Sequence, residues 1–158
     1  MDETLKNDAK YMRMAMEEAR VAAAMGEVPV GAVLVVEDEV IAKAHNLKET
    51  VNDPTAHAEI LAMREGARKL ARWRLTDAAL YVTKEPCIMC SGAMVNARLG
   101  RLVYACRDPK GGAAESLYSI PTDERLNHRV EVASGVLEEE CRELLKSFFE
   151  AKRVKISE

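Results

Sequence analysis

Hydrophobic residues along this chain fall either at helical spacing or in short β-rich runs, and each change of pattern marks a predicted element. Residues 8–25 carry apolar side chains at helical spacing, among them Met12, Met16 and Ala19, and Gly26 ends the predicted helix. Residues 31–36 and 40–44 are short β-rich runs around an acidic turn, which predict a β-hairpin. We therefore predict a first helix followed by two paired strands.

The remainder of the chain continues to alternate between strand and helix patterns. After the hairpin we predict a polar loop at 46–55 and a helix that carries His57 and Glu59 and reaches Ala71. A strand at 79–83, a helix at 87–97 closed by Gly100 and a strand at 101–106 follow. The chain then continues with a long loop at 108–123, a fifth strand at 129–133 and a final helix at 138–153. This alternation predicts a layered α/β domain around a mixed sheet. The loop at 108–123 is long enough to suggest a function.

The composition is that of an ordinary globular protein. A length of 158 residues, with 48% hydrophobic and 31% charged side chains, predicts one domain spanning residues 1–158. No apolar run is long enough for a membrane span, and Met1-Asp2-Glu3 does not resemble a signal peptide. Two of the four cysteines belong to a metal-type motif, so we expect no disulfide framework and a cytoplasmic protein without a membrane partner.

The net charge of −3 hides an uneven distribution along the chain. Residues 1–63 carry 6 basic and 12 acidic side chains, residues 64–110 carry 10 and 4, and residues 111–158 carry 7 and 10. The basic middle third would allow a local surface to hold phosphates. Part of it follows helical spacing and could equally be a solvated helix face. That part consists of Arg64, Arg68, Lys69, Arg72 and Arg74.

Two short motifs carry the candidate chemistry: His-x-Glu at residues 57–59 and Pro-Cys-x-x-Cys at residues 86–90. Cys87 and Cys90 would share one face of a helix that begins after the proline, where the helix dipole favours thiolates. The histidine and glutamate would diverge in mid-helix, so we place them in the opening turn of a helix. This combination of motifs is the signature of zinc-dependent nucleobase deaminases.

Three ligands and one spare carboxylate suit hydrolysis at a metal. His57, Cys87 and Cys90 would leave one zinc position open for water, whose pKa zinc lowers from 15.7 to roughly 7. Glu59 would then move protons from the water to the ring nitrogen and to the leaving ammonia. The alternative is a structural zinc site without catalysis, which needs a fourth protein ligand. The candidates for that ligand are Cys106, Cys141, His45 and His128; otherwise we interpret the two cysteines as buried apolar thiols.

Several further segments carry a family resemblance. They are residues 27–33, 53–59, 85–90, 107–110 and 127–130, and the pair Phe148-Phe149. With them, the chain resembles the bacterial tRNA-specific adenosine deaminases of the cytidine deaminase superfamily along nearly its whole length. The zinc motif is shared with cytidine, guanine and dCMP deaminases, whereas residues 127–129 and the two phenylalanines look specific to the tRNA branch. His45, Leu47 and Lys84 depart from the family pattern.

The resemblance implies a three-layer αβα sandwich around a five-stranded mixed sheet, and a homodimer with one Zn²⁺ per subunit. It implies conversion of the wobble adenosine of a tRNA anticodon, usually of an arginine tRNA, to inosine. Hydroxide would attack carbon 6 of adenine, with Glu59 as proton shuttle. The implied substrate contacts are Asn46 to the flipped base, Val30 and Ala58 as pocket lining, Pro29 beside them, Asp108 and Lys110 near the adjoining nucleotides, and Phe149, Lys152 and Arg153 on the last helix.

The residues by themselves leave alternatives open. Asn46 offers a donor and an acceptor to a purine edge, but it could equally form a turn. Phe148 and Phe149 are adjacent and cannot share one buried helix face, so one could face RNA or a second subunit. We interpret His128 as a structural hydrogen-bonding residue. A stretch near the zinc helix fits either a two-fold interface or the core; it contains Met94, Val95 and Leu99.

Two other functions remain as alternatives at this point. One is a guanine, cytidine or dCMP deaminase that acts on free bases or nucleotides. The other is an RNA-binding or structural zinc module without turnover. Activity on anticodon RNA or on the free compounds separates the two enzymes, and the effect of Glu59→Ala separates an enzyme from a binding module.

Overall fold

Nine elements follow one another in the order that the sequence predicts. The computed structural model describes the backbone of residues 3–157 and the side chains of residues 3–155. The elements are α1 (Glu3–Ala24), β1 (Gly31–Val36), β2 (Glu39–His45), α2 (Ala58–Leu70), β3 (Ala78–Lys84), α3 (Ile88–Asn96), β4 (Arg101–Cys106), β5 (Glu131–Ser134) and α4 (Glu138–Ser157). Met1 and Asp2, on which the signal-peptide argument partly rests, lie outside the described residues.

The five strands form one mixed sheet in the order β2-β1-β3-β4-β5. β1 pairs antiparallel with β2 and β3, whereas β3, β4 and β5 run parallel. The predicted hairpin is confirmed, with its turn at Glu37 and Asp38, both of which have positive φ. β5 begins two residues later than predicted because the Val130 N–H already donates to the Pro121 carbonyl.

Helices cover both faces of the sheet, which explains the continuous apolar sequence of β1. Every residue of β1 is buried, since α1 packs on one face of the sheet and α2 on the other. α4 packs beside α1, and α3 packs beside α2. The predicted three-layer αβα sandwich is therefore confirmed.

Gly31 shows how closely α1 approaches the sheet. A Cβ atom at this position would overlap the Ala15 carbonyl oxygen on α1. The Gly31 N–H donates to Thr83 Oγ1 on β3 at 3.1 Å. Only glycine lets the helix rest directly on the backbone at the start of β1.

The stretch considered for a two-fold interface belongs to the core of the protomer. Met94 and Leu99 are completely buried, and Val95 is nearly so. Met94 and Leu99 pack in the cluster between the sheet and the α2–α3 layer. The interface interpretation of these three residues is therefore wrong. No helix among residues 3–157 is long and apolar enough to cross a membrane.

Much of the basic cluster of α2 is engaged in local interactions. Arg68 pairs with Glu65, Lys69 donates to the Ile41 carbonyl, and the Arg72 guanidinium pairs with Asp77. Arg68 and Lys69 lie in the last turn of α2 and Arg72 follows its end, whereas the motif histidine lies at the N-terminus of α2. The positions favour a solvated helix face for this part of the cluster.

One edge of the sheet gathers the ends of several elements. β3 and β4 are parallel and end at this edge, and the antiparallel β1 begins there. α2 and α3 also begin there, because each follows a connection from this edge. The topology thereby places both motifs at the same end of the molecule.

Candidate active site

The three predicted metal ligands meet where two helices begin. His57 is the N-cap of α2 and Cys87 is the N-cap of α3, both with extended backbone angles, and Cys90 lies in the first turn of α3. His57 Nδ1 lies 3.6 Å from Cys87 Sγ and 3.5 Å from Cys90 Sγ. All three ligand atoms lie within 4.8 Å of one another. Because His57 stands at the start of α2, as predicted, its ring faces the two thiols.

This geometry fits a tetrahedral zinc ion. Zinc–sulfur bonds of about 2.3 Å and zinc–nitrogen bonds of about 2.0–2.1 Å at tetrahedral angles separate N and S by roughly 3.5–3.6 Å. The observed separations of 3.6 and 3.5 Å agree with that value. One imidazole and two thiols are also a donor set that zinc prefers. His57, Cys87 and Cys90 are therefore able to hold the ion without rearrangement.

Within residues 3–155, no fourth protein ligand joins the three. His45 Nδ1 lies 3.2 Å from Glu18 Oε1, and His128 Nε2 donates to the Leu99 carbonyl at 2.7 Å. Cys106 and Cys141 are buried together in the cluster beneath α1 and α4, on the other side of the sheet. Three protein ligands with one open position is the arrangement of catalytic rather than structural zinc sites.

The pKa values of the two thiols shift in opposite directions. Hydrogen bonds from Cys90 and from His57 lower the pKa of Cys87 to about 3. The bond to the Cys87 thiolate, together with burial, raises the pKa of Cys90. Hydrogen bonds within the cluster thus favour the thiolate at Cys87, and the thiolate is the form in which cysteine binds a metal.

Glu59 lies beside the cluster without belonging to it. It stands in the first turn of α2 and is 4% exposed. Burial raises the pKa of its carboxyl group, which makes the protonated form accessible. A carboxyl group that can hold and release a proton next to a metal site suits acid–base chemistry.

The cluster and Glu59 open into a pocket of about 170 Å³. The lining residues are Val28, Val30, Asn46, Lys48, His57, Ala58, Glu59, Lys84, Glu85, Cys87 and Asp108. The structure therefore brings four of the predicted substrate contacts to the metal cluster: Val30, Asn46, Ala58 and Asp108. Pro29 is buried between two lining residues and does not itself line the pocket.

Asn46 forms the turn that was one of the two interpretations left open by the sequence, and its side chain also lines the pocket. Its Oδ1 atom accepts a hydrogen bond from the Lys48 N–H at 3.2 Å, which forms a turn. Its Nδ2 atom donates to the Val28 carbonyl at 3.5 Å, at the limit of hydrogen bonding. The side chain is thus oriented by the turn while it faces the pocket.

Asp108 lies on the opposite wall from Asn46 and uses its two oxygens differently. Oδ1 accepts hydrogen bonds from the N–H groups of Lys110 at 3.1 Å and Gly111 at 3.2 Å. Oδ2 lies 3.1 Å from Lys84 Nζ. Burial opposes ionisation, but the positive charge of Lys84 and these hydrogen bonds lower the Asp108 pKa. Lys110 itself is exposed and does not line the pocket.

The three predicted contacts on the last helix lie outside the pocket. Phe149, Lys152 and Arg153 are exposed on α4, which packs on the α1 side of the sheet. Phe148 is half-buried beneath Lys152, whose Nζ lies 5.2 Å from the ring centre. Phe149 is therefore the phenylalanine that the protomer presents to its surroundings.

Glu85 has a role that sequence reasoning missed. Its buried carboxylate accepts hydrogen bonds from the backbone N–H groups of Asp108, Ala114, Glu115 and Ser116, and from the Ser116 hydroxyl. A Cβ atom at Gly112 would overlap this carboxylate, so glycine is required there. Burial alone would raise the Glu85 pKa, but the hydrogen bonds outweigh it and lower the pKa. Glu85 therefore holds the loop that carries Asp108.

Glu27 organises the opposite wall in the same way. Its carboxylate accepts hydrogen bonds from the N–H groups of Glu49 at 3.2 Å and Thr50 at 2.6 Å, and from the Thr50 hydroxyl at 2.6 Å. These bonds outweigh the effect of burial and lower the Glu27 pKa. The only sequence signal for either residue is a glutamate shortly before a proline in segments 27–33 and 85–90.

Comparison with known proteins agrees with this geometry. The family description of MafB19-like deaminases matches residues 6–153. The tRNA-specific adenosine deaminase of Bacillus subtilis (strain 168) is 50% identical over 151 residues, which are 96% of this chain and 94% of that protein. The enzyme of the same name from Haemophilus influenzae is 48% identical over 147 residues, covering 92% of this chain and 85% of that protein.

Solved structures show the same fold. A structure from a study of A-to-I editing by tRNA:A34 deaminases at the wobble position of transfer RNA has a TM-score of 0.83 and 46% identity. That match covers 86% of this chain and 99% of that one. The guanine deaminase of Bacillus subtilis matches with a TM-score of 0.60 and 36% identity, over 68% of this chain and 66% of that one.

An αβα sandwich with a three-ligand cluster beside a buried glutamate defines the class of zinc-type nucleobase deaminases. Within this class, the two relatives that are 48–50% identical over more than nine tenths of the chain are both tRNA-specific adenosine deaminases. The chain belongs to the tRNA-specific adenosine deaminases, within the MafB19-like deaminase family.

Proposed function

We propose that the chain catalyses zinc-dependent hydrolytic deamination of the wobble adenosine to inosine in a tRNA anticodon, with an arginine tRNA as the expected substrate. One observation carries the proposal: the His57, Cys87 and Cys90 cluster, the buried Glu59 and the oriented Asn46 all face the same pocket. The pocket volume of about 170 Å³ is below the ~300–1,000 Å³ typical of drug-sized ligands. It suits a single flipped base whose sugar and phosphates stay outside.

The reaction adds the oxygen of water to carbon 6 of adenine and breaks the bond to the amino nitrogen, so that ammonia leaves. Zinc held by the cluster would acidify the water and supply the nucleophile. Glu59 accepts a proton from the water and delivers it to ring nitrogen N1. It then accepts the remaining proton from the new C6 hydroxyl and transfers it to the amino group, which leaves as ammonia as the C6 carbonyl forms. Asn46 supplies a donor and an acceptor to the purine edge, while Val30 and Ala58 pack against the ring.

The direct test uses an anticodon stem-loop with adenosine at the wobble position. We expect the parent protein to convert it to inosine, detected by reverse transcription, and Glu59→Ala to lose at least about 10²-fold in rate. Zinc content and thermal unfolding of the variant are measured alongside, and both are expected to match the parent. Equal rates for the two proteins would remove the assignment of Glu59.

The same assay includes free guanine, cytidine and dCMP. The 36% identity to a guanine deaminase makes this comparison necessary. Ammonia released from a free compound, without inosine in the stem-loop, would replace the proposal with deamination of free bases or nucleotides. Binding of the stem-loop without any turnover would indicate a binding module.

Further parts of the proposal concern the assembly and its surroundings. We expect residues 1–158 to fold as one domain, to form a homodimer with one Zn²⁺ per subunit, and to act in the cytoplasm, where tRNA is found. Asp108 and Lys110 lie on the loop that Glu85 holds beside the pocket, which supports contacts to the neighbouring anticodon nucleotides. The exposed Phe149, Lys152 and Arg153 of α4 are available for the anticodon loop.

A further inference from the structure

Two lysines line the mouth of the pocket, and the predicted substrate contacts include neither. Lys48 is exposed in the loop after β2, and Lys84 is the last residue of β3. Both contribute to the pocket lining. Because β1 separates β2 from β3 in the sheet, the two lysines belong to walls on either side of Val30.

The acidic groups of the pocket lining are engaged in contacts of their own. Glu59 and Glu85 are buried, and Glu85 is saturated by hydrogen bonds. Asp108 has one oxygen bound to backbone N–H groups and the other beside Lys84. Among the ion pairs of residues 3–155, none involves Lys48. Lys48 is therefore without an ion-pair partner among these residues, whereas Lys84 shares its charge with Asp108 and its side chain remains 31% exposed.

An RNA substrate requires basic side chains at the mouth of the pocket. A nucleotide whose base enters the pocket leaves its two flanking phosphates at the mouth. The chain has a net charge of −3, and residues 1–63 carry twice as many acidic as basic side chains. Lys48 is thus a basic residue within an acidic segment, situated where a polyanion must approach.

On the basis of the proposed function, we infer that Lys48 and Lys84 bind the RNA phosphates on either side of the target nucleotide. An ammonium group has three donors. Lys84 directs one of them to Asp108 Oδ2, which holds its side chain at the mouth and leaves the others for a phosphate. Asp108 thus serves to position Lys84 as well as to form the 108–111 turn.

The test measures binding without turnover. A fluorescent anticodon stem-loop with a wobble adenosine is titrated with Glu59→Ala protein at salt concentrations from about 50 to 300 mM. Lys48→Met and Lys84→Met are each introduced into this protein. We expect each to weaken binding about three- to fivefold, as for an exposed ion pair, and to lower the slope of log Kd against log salt by about 0.7 to 1.

Matched variants separate a phosphate contact from a structural effect. In the Glu59→Ala protein, Lys84→Arg and Lys48→Arg should each leave the slope of log Kd against log salt unchanged. Lys6→Met removes an exposed lysine near the start of α1, at the far end of the sheet, and should leave Kd and slope unchanged. In the otherwise unmodified enzyme, Lys48→Met and Lys84→Met should raise KM with kcat unchanged within about twofold.

An unchanged salt slope in both methionine variants overturns the inference, even if Kd rises. A rise in Kd without a change of slope at Lys84 would mean that this residue only stabilises the Asp108 turn. The inference and the proposed function fail separately. If the parent forms no inosine but the lysine variants still have a smaller slope of log Kd against log salt, only the activity is refuted. If inosine forms and these slopes are unchanged, only the phosphate contacts are refuted.

Discussion

Three buried glutamates surround the pocket, and their surroundings shift their pKa values in opposite directions. Burial raises the pKa of Glu59, where few donors compensate. Burial acts in the same sense on Glu27 and Glu85, but hydrogen bonds from the loops outweigh it and lower both pKa values. Glu59 is therefore suited to exchange a proton, while the other two remain anionic and hold the pocket walls.

The lowered pKa of Glu85 makes part of the stability depend on pH. A carboxyl group with a folded-state pKa below its ordinary value of 4.5 stabilises the fold above that value, and this stability is lost as pH falls through the folded-state pKa. We expect Glu85→Gln to reduce the free energy of unfolding at pH 7 by about 1–3 kcal/mol. The difference from the parent should shrink as the pH is lowered below 4.5.

Urea unfolding at a series of pH values measures this effect. Zinc release in acid affects parent and variant alike, so the difference between them reports on Glu85. Glu124→Gln is the control, because Glu124 is exposed and should show no such difference. A Glu85→Gln curve parallel to that of the parent at all pH values would contradict the role assigned to this carboxylate.

The four cysteines divide into two pairs with different expected roles. Cys87→Ala and Cys90→Ala each remove a ligand and should lose most of the bound zinc. Cys106→Ala should retain one Zn²⁺ per subunit, since Cys106 Sγ contacts the Thr83 carbonyl at 3.3 Å and packs beneath α1 and α4. Metal analysis of the purified proteins decides the matter; zinc lost equally in all three would show that the ligand assignment is wrong.

At the scale of elements, periodicity was sufficient for the layout and insufficient for the loops. The sequence predicts β1 and β2 because two short β-rich runs stand on either side of an acidic turn. It does not predict that Val130 precedes β5, because a hydrogen bond to Pro121, nine residues earlier, decides that boundary. The hydrogen bonds of Glu85 to residues 108–116 leave no periodic signal either.

α1 is held to the sheet by a buried ion pair that the pattern does not reveal. Asp8 is 2% exposed and accepts hydrogen bonds from Tyr81 Oη at 2.8 Å and from the Arg101 guanidinium at 2.7 and 2.8 Å. Asp8→Ala leaves Arg101 with Glu131, 2.7 Å from its Nε, and leaves the Tyr81 hydroxyl without its acceptor, so we expect a loss of about 1–3 kcal/mol in the free energy of unfolding.

Glu17→Ala provides the matched control on the same helix. Glu17 pairs with Arg20 on the exposed face of α1, and such pairs contribute about 0.2–1 kcal/mol. Urea unfolding compares the two variants. If Asp8→Ala cost no more than Glu17→Ala, the buried pair would not be what fixes α1 to β3 and β4.

At the scale of the whole molecule, the charge of a sequence segment does not show where its charged side chains lie in the folded protein. The basic middle third suggested a phosphate-binding surface, yet Arg68 and Arg72 pair locally towards the far end of α2. Lys48 comes from the acidic first third and reaches the pocket mouth, where Lys84 joins it. The metal ligands could be predicted because the motif fixes their chemistry, whereas the charges around them depend on the fold.

The proposed homodimer would require a surface other than the one considered from the sequence, since Met94, Val95 and Leu99 are core residues. Leu117 and Tyr118 are more than half exposed and follow the loop that Glu85 holds. Exposed apolar groups beside a functional site are typical of subunit contacts, and a two-fold axis would double their contribution. We therefore expect this loop to take part in the dimer interface.

Sedimentation at micromolar concentration tests this expectation by comparing variants at two similarly exposed residues, Leu117 and Trp73. Leu117→Lys introduces two buried charges into a two-fold interface and should shift the protein to monomers. Trp73→Lys changes a similarly exposed residue after the C-terminus of α2, far from the pocket, and should leave the dimer intact. A monomeric parent would refute the homodimer itself. A dimeric Leu117→Lys variant would refute only the location, because a desolvated lysine on each subunit could not be accommodated there.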